Sequence, residues 1–251
     1  MKILTVPMLV RVATIIPLIV VLEYVVKAGF INRHFFASPT EILAVIPHTV
    51  TELYPQHLMR TMTEYLAAYT IALAVGLAIG IAMGSKRSVY DVLDPFVGFG
   101  MNAPKSVLIP LFILAFGIGL NSIAFFAASI AVFPIIVNTA AGMHQAKPEY
   151  LTVARSMGHS KFQVYRKVVL PSALPTFLTG FFLGSNLSMI GVIIMELVMG
   201  RQGIGPLMSE LTYSFQTPEL YAVTLMTILL TTAINGSIWL LSRRLSMWRI
   251  S

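Results

Sequence analysis

The chain has no cysteine among its 251 residues, which excludes disulfides and thiolate metal sites. Charge is also scarce. Only 11% of residues are Asp, Glu, Lys or Arg, against about 25% in a typical soluble domain. So few charges cannot cover a globular surface, and a mean hydropathy of +0.82 makes lipid the solvent for much of the chain. Catalytic patterns are missing too. The stretch nearest to a phosphate-binding loop, Phe99-Gly100-Met101-Asn102-Ala103-Pro104-Lys105-Ser106, has Phe and Pro where both glycines belong. Proline has no N–H to offer a phosphate. Gly98-x-Gly100-x-x-Ala103 follows no strand of a βαβ unit, so it is not a dinucleotide fingerprint. The five histidines, at 34, 48, 57, 144 and 159, show no His-x3-His spacing, and there is no Gly-x-Ser-x-Gly elbow. The chain is expected to be no enzyme and to bind no metal or cofactor.

What the chain does have is long apolar stretches. A helical span needs about 20 mostly apolar residues. Candidates run over residues 7–28, 65–85, 168–195 and 220–242, and the charge-free stretch 106–146 is long enough for two. A break is expected there at Gly117-Ile118-Gly119-Leu120-Asn121-Ser122. The expectation is an all-α membrane protein with about six transmembrane helices, forming a single domain over residues 1–251. Met1-Lys2 before an apolar stretch resembles a signal peptide, but no small-residue cleavage pattern follows, so an uncleaved first helix is expected. Residues 91–105 allow two readings: the start of a third span broken near Pro104, or a cytoplasmic loop with an interfacial helix. An outer segment over 31–58 is expected to carry a short surface helix at 41–53.

The formal charge is +7. No basic run is interleaved with aromatics, so nucleic acid is not the expected partner. With six spans and the N-terminus inside, twelve Lys and Arg fall on the inner side and four outside. That bias places both termini in the cytoplasm.

Small residues recur every four positions in the second span, at Ala68, Ala72, Gly76, Gly80 and Gly84. Such a stripe lets another backbone approach closely. Gly180, Gly184 and Ser188 repeat the pattern in the fifth span. Ser185, Asn186 and Ser188 form a polar group inside that apolar span, bonding to other helices or lining a pore. Glu196 near its outer end is either functional or an interfacial carboxylate bonded to nearby backbone.

The inner segment, about 146–167, reads Pro148-Glu149-Tyr150-Leu151-Thr152-Val153-Ala154-Arg155-Ser156-Met157-Gly158 and leads to Val168-Val169-Leu170-Pro171. It resembles the signature loop of permease subunits of bacterial ABC importers, Glu-Ala-Ala-x3-Gly-x9-Ile-x-Leu-Pro. Thr152, Val153 and Ala154 fall on the first three positions, with Thr in place of Glu and Val in place of Ala. Gly158, Val168, Leu170 and Pro171 keep the spacing. Asn102-Ala103-Pro104-Lys105-Ser106, Pro110-Leu111, Gly117-x-Gly119 and Met195-Glu196-Leu197 before Arg201-Gln202-Gly203-Ile204-Gly205 resemble the nitrate, sulfonate and taurine branch.

The resemblance implies a type I importer permease in the bacterial inner membrane. Its cytoplasmic coupling helix, with Glu149, Tyr150, Leu151, Thr152, Val153, Ala154, Met157 and Gly158, would dock on a partner ATPase. Gly158 is expected to end that helix in a left-handed conformation, with Pro171 starting the next span. The implied partners are cytoplasmic ATPase subunits, a second permease copy (a homodimer), an extracytoplasmic substrate-binding protein and the bilayer. ATP and Mg would sit on the ATPase. Candidate pathway residues are Asn102, Ser106, Ser185, Asn186, Ser188 and Glu196, with a small anionic or polar organic solute. A secondary transporter is the alternative, but the spans show neither ion-coupling groups nor an internal repeat.

Overall fold

The computed structural model describes residues 5–32, 34–146 and 148–246, with side chains over 13–240 apart from those gaps. Lys2, Arg33, Lys147 and Arg249 lie outside the described residues, as do the side chains of Arg11, Arg243 and Arg244. Among the described residues the secondary structure is entirely helical. The chain divides into two compact units, Met1–Met59 with Gln202–Leu229, and Arg60–Arg201 with Leu230–Ser251.

The first unit opens with α1, Thr5–Lys27. Its 23 residues extend about 35 Å at 1.5 Å per residue, enough to cross a hydrocarbon core. Ile15, Ile16, Leu18, Ile19, Val20 and Val21 all point outward from it. Helix α2, Pro39–His48, starts with a capping box. The Ser38 hydroxyl accepts from the Glu41 amide, and the Glu41 carboxylate accepts from the Ser38 amide at 2.8 Å.

The surface helix expected over 41–53 does not stand alone. A π-turn over Thr49–Leu53 carries α2 directly into α3, Tyr54–Ser85. Tyr54 donates its amide to the Thr49 carbonyl five residues back. Pro55 has no amide to donate, and the widened turn absorbs the missing bond. The helix that holds the second span therefore begins upstream of residue 65, with α3 starting at Tyr54. Also in this unit, α10 (Ile204–Tyr213) packs Ile204, Leu207 and Leu211 against Tyr54 and against Val223 of α11, Thr217–Ser246.

The second unit is organised around α6, Leu120–Met143, the helix with the largest buried share among the candidate spans. The glycine stripe of α3 lies on it. A Cβ added at Gly76 would sit 2.7 Å from Ile135 Cγ2, and one at Gly80 would sit 2.5 Å from Thr139 Cβ. The stripe of α9, Leu170–Met199, meets the same helix: Gly184 abuts Ile135 and Gly191 abuts Ala127. Both stripes thus serve packing within one chain.

The third span is not straight. Helix α4, Arg87–Asn102, meets the turn Lys105–Leu108 and α5, Ile109–Phe116, at 88°. The break falls at Ala103-Pro104, a geometry common to a broken span and to an interfacial helix leading into a short one. A separate span starting at residue 106 is ruled out by length, since only the turn and the eight residues of α5 precede Gly117. The carbonyls freed at the end of α4 find a cation: Lys105 Nζ donates to the Gly100 carbonyl and, at 3.0 Å, to that of Ala103. The ammonium also lies 4.9 Å from the centre of the Phe133 ring. Lys105 therefore serves the bend. Gly117 and Gly119, at φ +74° and +145°, form the expected break before α6.

Four helical runs among the described residues are long and apolar enough to cross a bilayer: Pro39–Ser85, Leu120–Met143, Lys161–Met199 and Thr217–Leu240. The bent α4–α5 pair makes a fifth if it is one span.

Candidate functional site

The coupling segment forms α7, Pro148–Ser156, with Glu149 in its first turn and Arg155 in its last, both favourable to the helix dipole. Its end is a Schellman closure. Gly158 takes φ +76°, its amide donates to the Arg155 carbonyl at 2.9 Å, and the His159 amide donates to the Ala154 carbonyl at 3.2 Å. The left-handed residue is therefore where turn chemistry expected it.

The closure sorts the side chains. Ala154 is buried and Leu151 packs on Met143, Ala146, Val169, Ala173 and Phe177. Tyr150, Val153 and Met157 are 56%, 57% and 71% exposed. Their spacing, i, i+3 and i+7, puts three large apolar groups on one outer face. Glu149 and Gly158 are also exposed. Thr152, where the signature has Glu, turns its hydroxyl back to the Pro148 carbonyl at 3.0 Å.

Ser160 then caps α8, Lys161–Val164, in a second capping box with Gln163. A π-turn over Tyr165–Val169 joins α8 to α9, with the Leu170 amide donating to the Tyr165 carbonyl. Pro171 stands in the first turn of α9, as expected from sequence, but the chain before it is already helical. It lies inside a continuous helical run from Lys161, and the π-turn absorbs its missing amide. Tyr165 anchors the segment: its hydroxyl donates to Met143 Sδ at 3.0 Å and lies 3.3 Å from the Ser85 hydroxyl.

The pathway candidates fall into two groups. Asn102 and Ser106 are exposed on either side of the Ala103-Pro104 bend, and the Asn102 amide donates within α4 to Gly98 at 2.9 Å. Ser185, Ser188 and Glu196 are buried on α9. Ser185 shares a 2.8 Å hydrogen bond with the Tyr65 hydroxyl, and the Ser188 hydroxyl is buried without a partner. Asn186 turns toward α11, accepting from Asn235 at 2.5 Å. Glu196, 1% exposed, accepts from the Thr61 hydroxyl at 2.6 Å. It bonds a side chain of α3, which neither reading from sequence contained.

The structure adds residues that sequence reasoning passed over. Glu64 is also 1% exposed; Arg60 Nε donates to its Oε1 at 2.6 Å, while its Oε2 has no hydrogen-bond partner. Tyr65 and Tyr69 stack with centroids 5.8 Å apart, and the Tyr69 hydroxyl donates to the Phe181 carbonyl. Arg60, Thr61, Glu64 and Tyr65 lie within two successive turns of α3. The signal was their i, i+4 spacing, and treating Glu64 as a span boundary hid it. Among the described residues no group of three or more His, Asp or Glu side chains is placed to hold a metal. Buried polar groups tie α3 to α9, and the exposed apolar face belongs to α7.

Residues 72–247 match the family described as binding-protein-dependent transport system inner membrane component. The riboflavin transport system permease protein RibX of Chloroflexus aurantiacus is 35% identical over 196 residues, covering 78% of this chain and 73% of that protein. The taurine transport system permease protein TauC of Escherichia coli is 26% identical over 194 residues, covering 77% and 70%. The inward-facing MetNI methionine ABC transporter matches in fold with a TM-score of 0.66 at 18% identity, covering 75% of this chain and 94% of that one. The chain belongs to the binding-protein-dependent transport system inner membrane component family, as a permease subunit of an ABC importer that resembles the sulfonate, nitrate and taurine permeases, and is a transport subunit, not an enzyme.

Proposed function

We propose that two copies of this chain form the solute path of an importer, each seating α7 in a groove of a cytosolic ATPase subunit. The observation that carries this reading is the outer face of α7, where Tyr150, Val153 and Met157 stand exposed at i, i+3 and i+7. That is the anchor spacing of a helix laid in a groove. Leu151, about 100° round the helix from Tyr150, fastens α7 to the body, so a displacement of α7 reaches α6 and α9 through the Met143, Ala173 and Phe177 cluster.

In this mechanism the ATPase pair binds ATP and Mg, and this chain binds neither. Closure of the pair draws the two α7 helices together, and the spans rock between outward- and inward-open states. An extracytoplasmic binding protein delivers the solute. Both termini lie in the cytoplasm, on the side of α7, in line with the excess of Lys and Arg there.

The solute is a small anionic or polar organic molecule, in keeping with relatives whose names carry riboflavin and taurine. The polar groups on α9 are hydroxyls, an amide and a carboxylate, which suit hydrogen bonding better than capture of an anion. Selectivity then rests largely on the binding protein. The test is purification of the tagged chain in mild detergent, with its companions counted by mass spectrometry. The expected result is one ATPase subunit per permease copy and two permease copies per complex. A preparation without an ATPase contradicts the reading.

A further inference from the structure

Behind α7, on the side away from its exposed apolar face, the second unit holds an open cavity of about 850 Å³. Its lining is divided by chemistry. Gly84, Met143, Ala146, Leu151, Val164 and Val169 make it apolar. Arg87, Arg155, Lys161, His144 and His159 also line it, and among the described residues no carboxylate does. Arg155 and Lys161 are exposed. Arg87 is partly neutralised by Asp91 at 3.0 Å, which leaves Arg155 and Lys161 as its main cationic groups.

The cavity lies at helix ends. Gly84 and Ser85 close α3, and Met143 and His144 close α6. In a membrane-inserted chain these positions fall near the level of lipid headgroups. A site with an apolar lining, several cations and no acid fits an amphiphile with a negative head. Arg in particular matches the oxygens of a phosphate with a pair of parallel N–H donors.

We propose that this cavity binds the phosphate headgroup of an anionic phospholipid from the inner leaflet. Arg155 and Lys161 hold the phosphate, and the first acyl methylenes lie on Leu151, Val164 and Val169. A lipid there braces α7 against the ends of α3 and α6 on the side opposite the ATPase face. The proposal rests on the chain being membrane-inserted with α7 inside. It needs no ATPase partner, so lipid binding and ATPase association can fail separately.

The full chain, purified in neutral detergent, is incubated with equimolar phosphatidylglycerol and phosphatidylcholine, and retained lipid is counted by native mass spectrometry. Phosphatidylglycerol is expected to be kept in preference. Arg155→Gln with Lys161→Gln should weaken retention by about fivefold for each side chain, from ~1 kcal/mol per basic group near an anionic headgroup. The charge-preserving pair Arg155→Lys with Lys161→Arg should keep it, as should Arg201→Gln, which lies outside the cavity. A photoreactive phosphatidylglycerol on the wild-type chain should label the peptide carrying Arg155 and Lys161, which keeps the test decisive if the charge-removed variant does not fold. Undiminished retention in that variant, or labelling elsewhere, overturns the proposal. Displacement of the lipid by excess inorganic phosphate also overturns it, by assigning the cavity to a free anion.

Discussion

The hydroxyl of Thr61 on α3 donates to Glu196 Oε1 on α9 at 2.6 Å, with both residues buried. A carboxyl oxygen taken out of water depends on such donors, and leaving a buried acceptor unsatisfied costs about 1–3 kcal/mol. Thr61→Val keeps the shape and removes the donor. It should lower thermal stability in detergent by about that amount, while Thr61→Ser stays close to wild type. Equal melting of Val and Ser variants by fluorescence-detected gel filtration would show that the bond carries no weight.

The approach of α3 to α6 is closer than a side chain allows. Gly80→Val would put Cβ 2.5 Å from Thr139 Cβ and 2.8 Å from the Ile136 carbonyl, and backbone cannot yield as a flexible side chain can. The cost should be about 3 kcal/mol or more, with loss of monodisperse protein. Gly98→Val on α4 meets nothing within 4 Å and should express normally. Equal yields of the two variants would place the α3–α6 contact wrongly.

Gly158→Val forces a β-branched residue to φ +76°, at about 1–3 kcal/mol of backbone strain. The closure lies on an exposed loop, so the spans should insert as before while α7 loses its C-terminal turn. Solute uptake should fall sharply at unchanged membrane protein levels. Gly158→Asn tolerates the left-handed region and should retain most uptake. Wild-type uptake in the Val variant would contradict the coupling role of the loop.

Local chemistry was legible in the sequence, and partners in space were not. The end of α7 follows from Gly158 and its neighbours alone, and the bend at Pro104 from proline stereochemistry. The glycine stripe of α3 announced a close neighbour, but spacing on one helix cannot say which helix faces it. The two π-turns escaped because each X-Pro pair, Tyr54-Pro55 and Leu170-Pro171, reads as a boundary between elements. Packing on both sides keeps the helix going, and the missing amide is absorbed instead. Glu64 was lost for a similar reason. A search for charge-free stretches uses every carboxylate as a boundary, so a buried one paired with Arg60 is cut from the span it belongs to. Ser185 and Asn186 stood out as polar residues, yet their partners, Tyr65 and Asn235, lie 120 and 49 residues away in sequence.

Topology can be read directly because the chain has no native cysteine. Single Lys161→Cys and Tyr213→Cys variants place a thiol on two exposed positions, before and after the fifth span in sequence, which the span count expects on opposite sides of the membrane. A membrane-impermeant maleimide applied to spheroplasts should label the Tyr213→Cys chain and reach the Lys161→Cys chain only after permeabilisation. The reverse pattern would invert the orientation.

The most direct measurement is site-specific cross-linking from the outer face of α7 in the assembled membrane complex. Single Val153→Cys and Met157→Cys variants, carrying a short photoactivatable linker, should each form a covalent product with a cytosolic ATPase. Glu210→Cys on α10, which follows the expected outer end of the fifth span in sequence, should form none. Cross-links from both α7 positions to the ATPase are what a coupling helix requires. Their absence, in a complex that still imports its solute, would contradict the assignment of α7 as the element that receives the stroke.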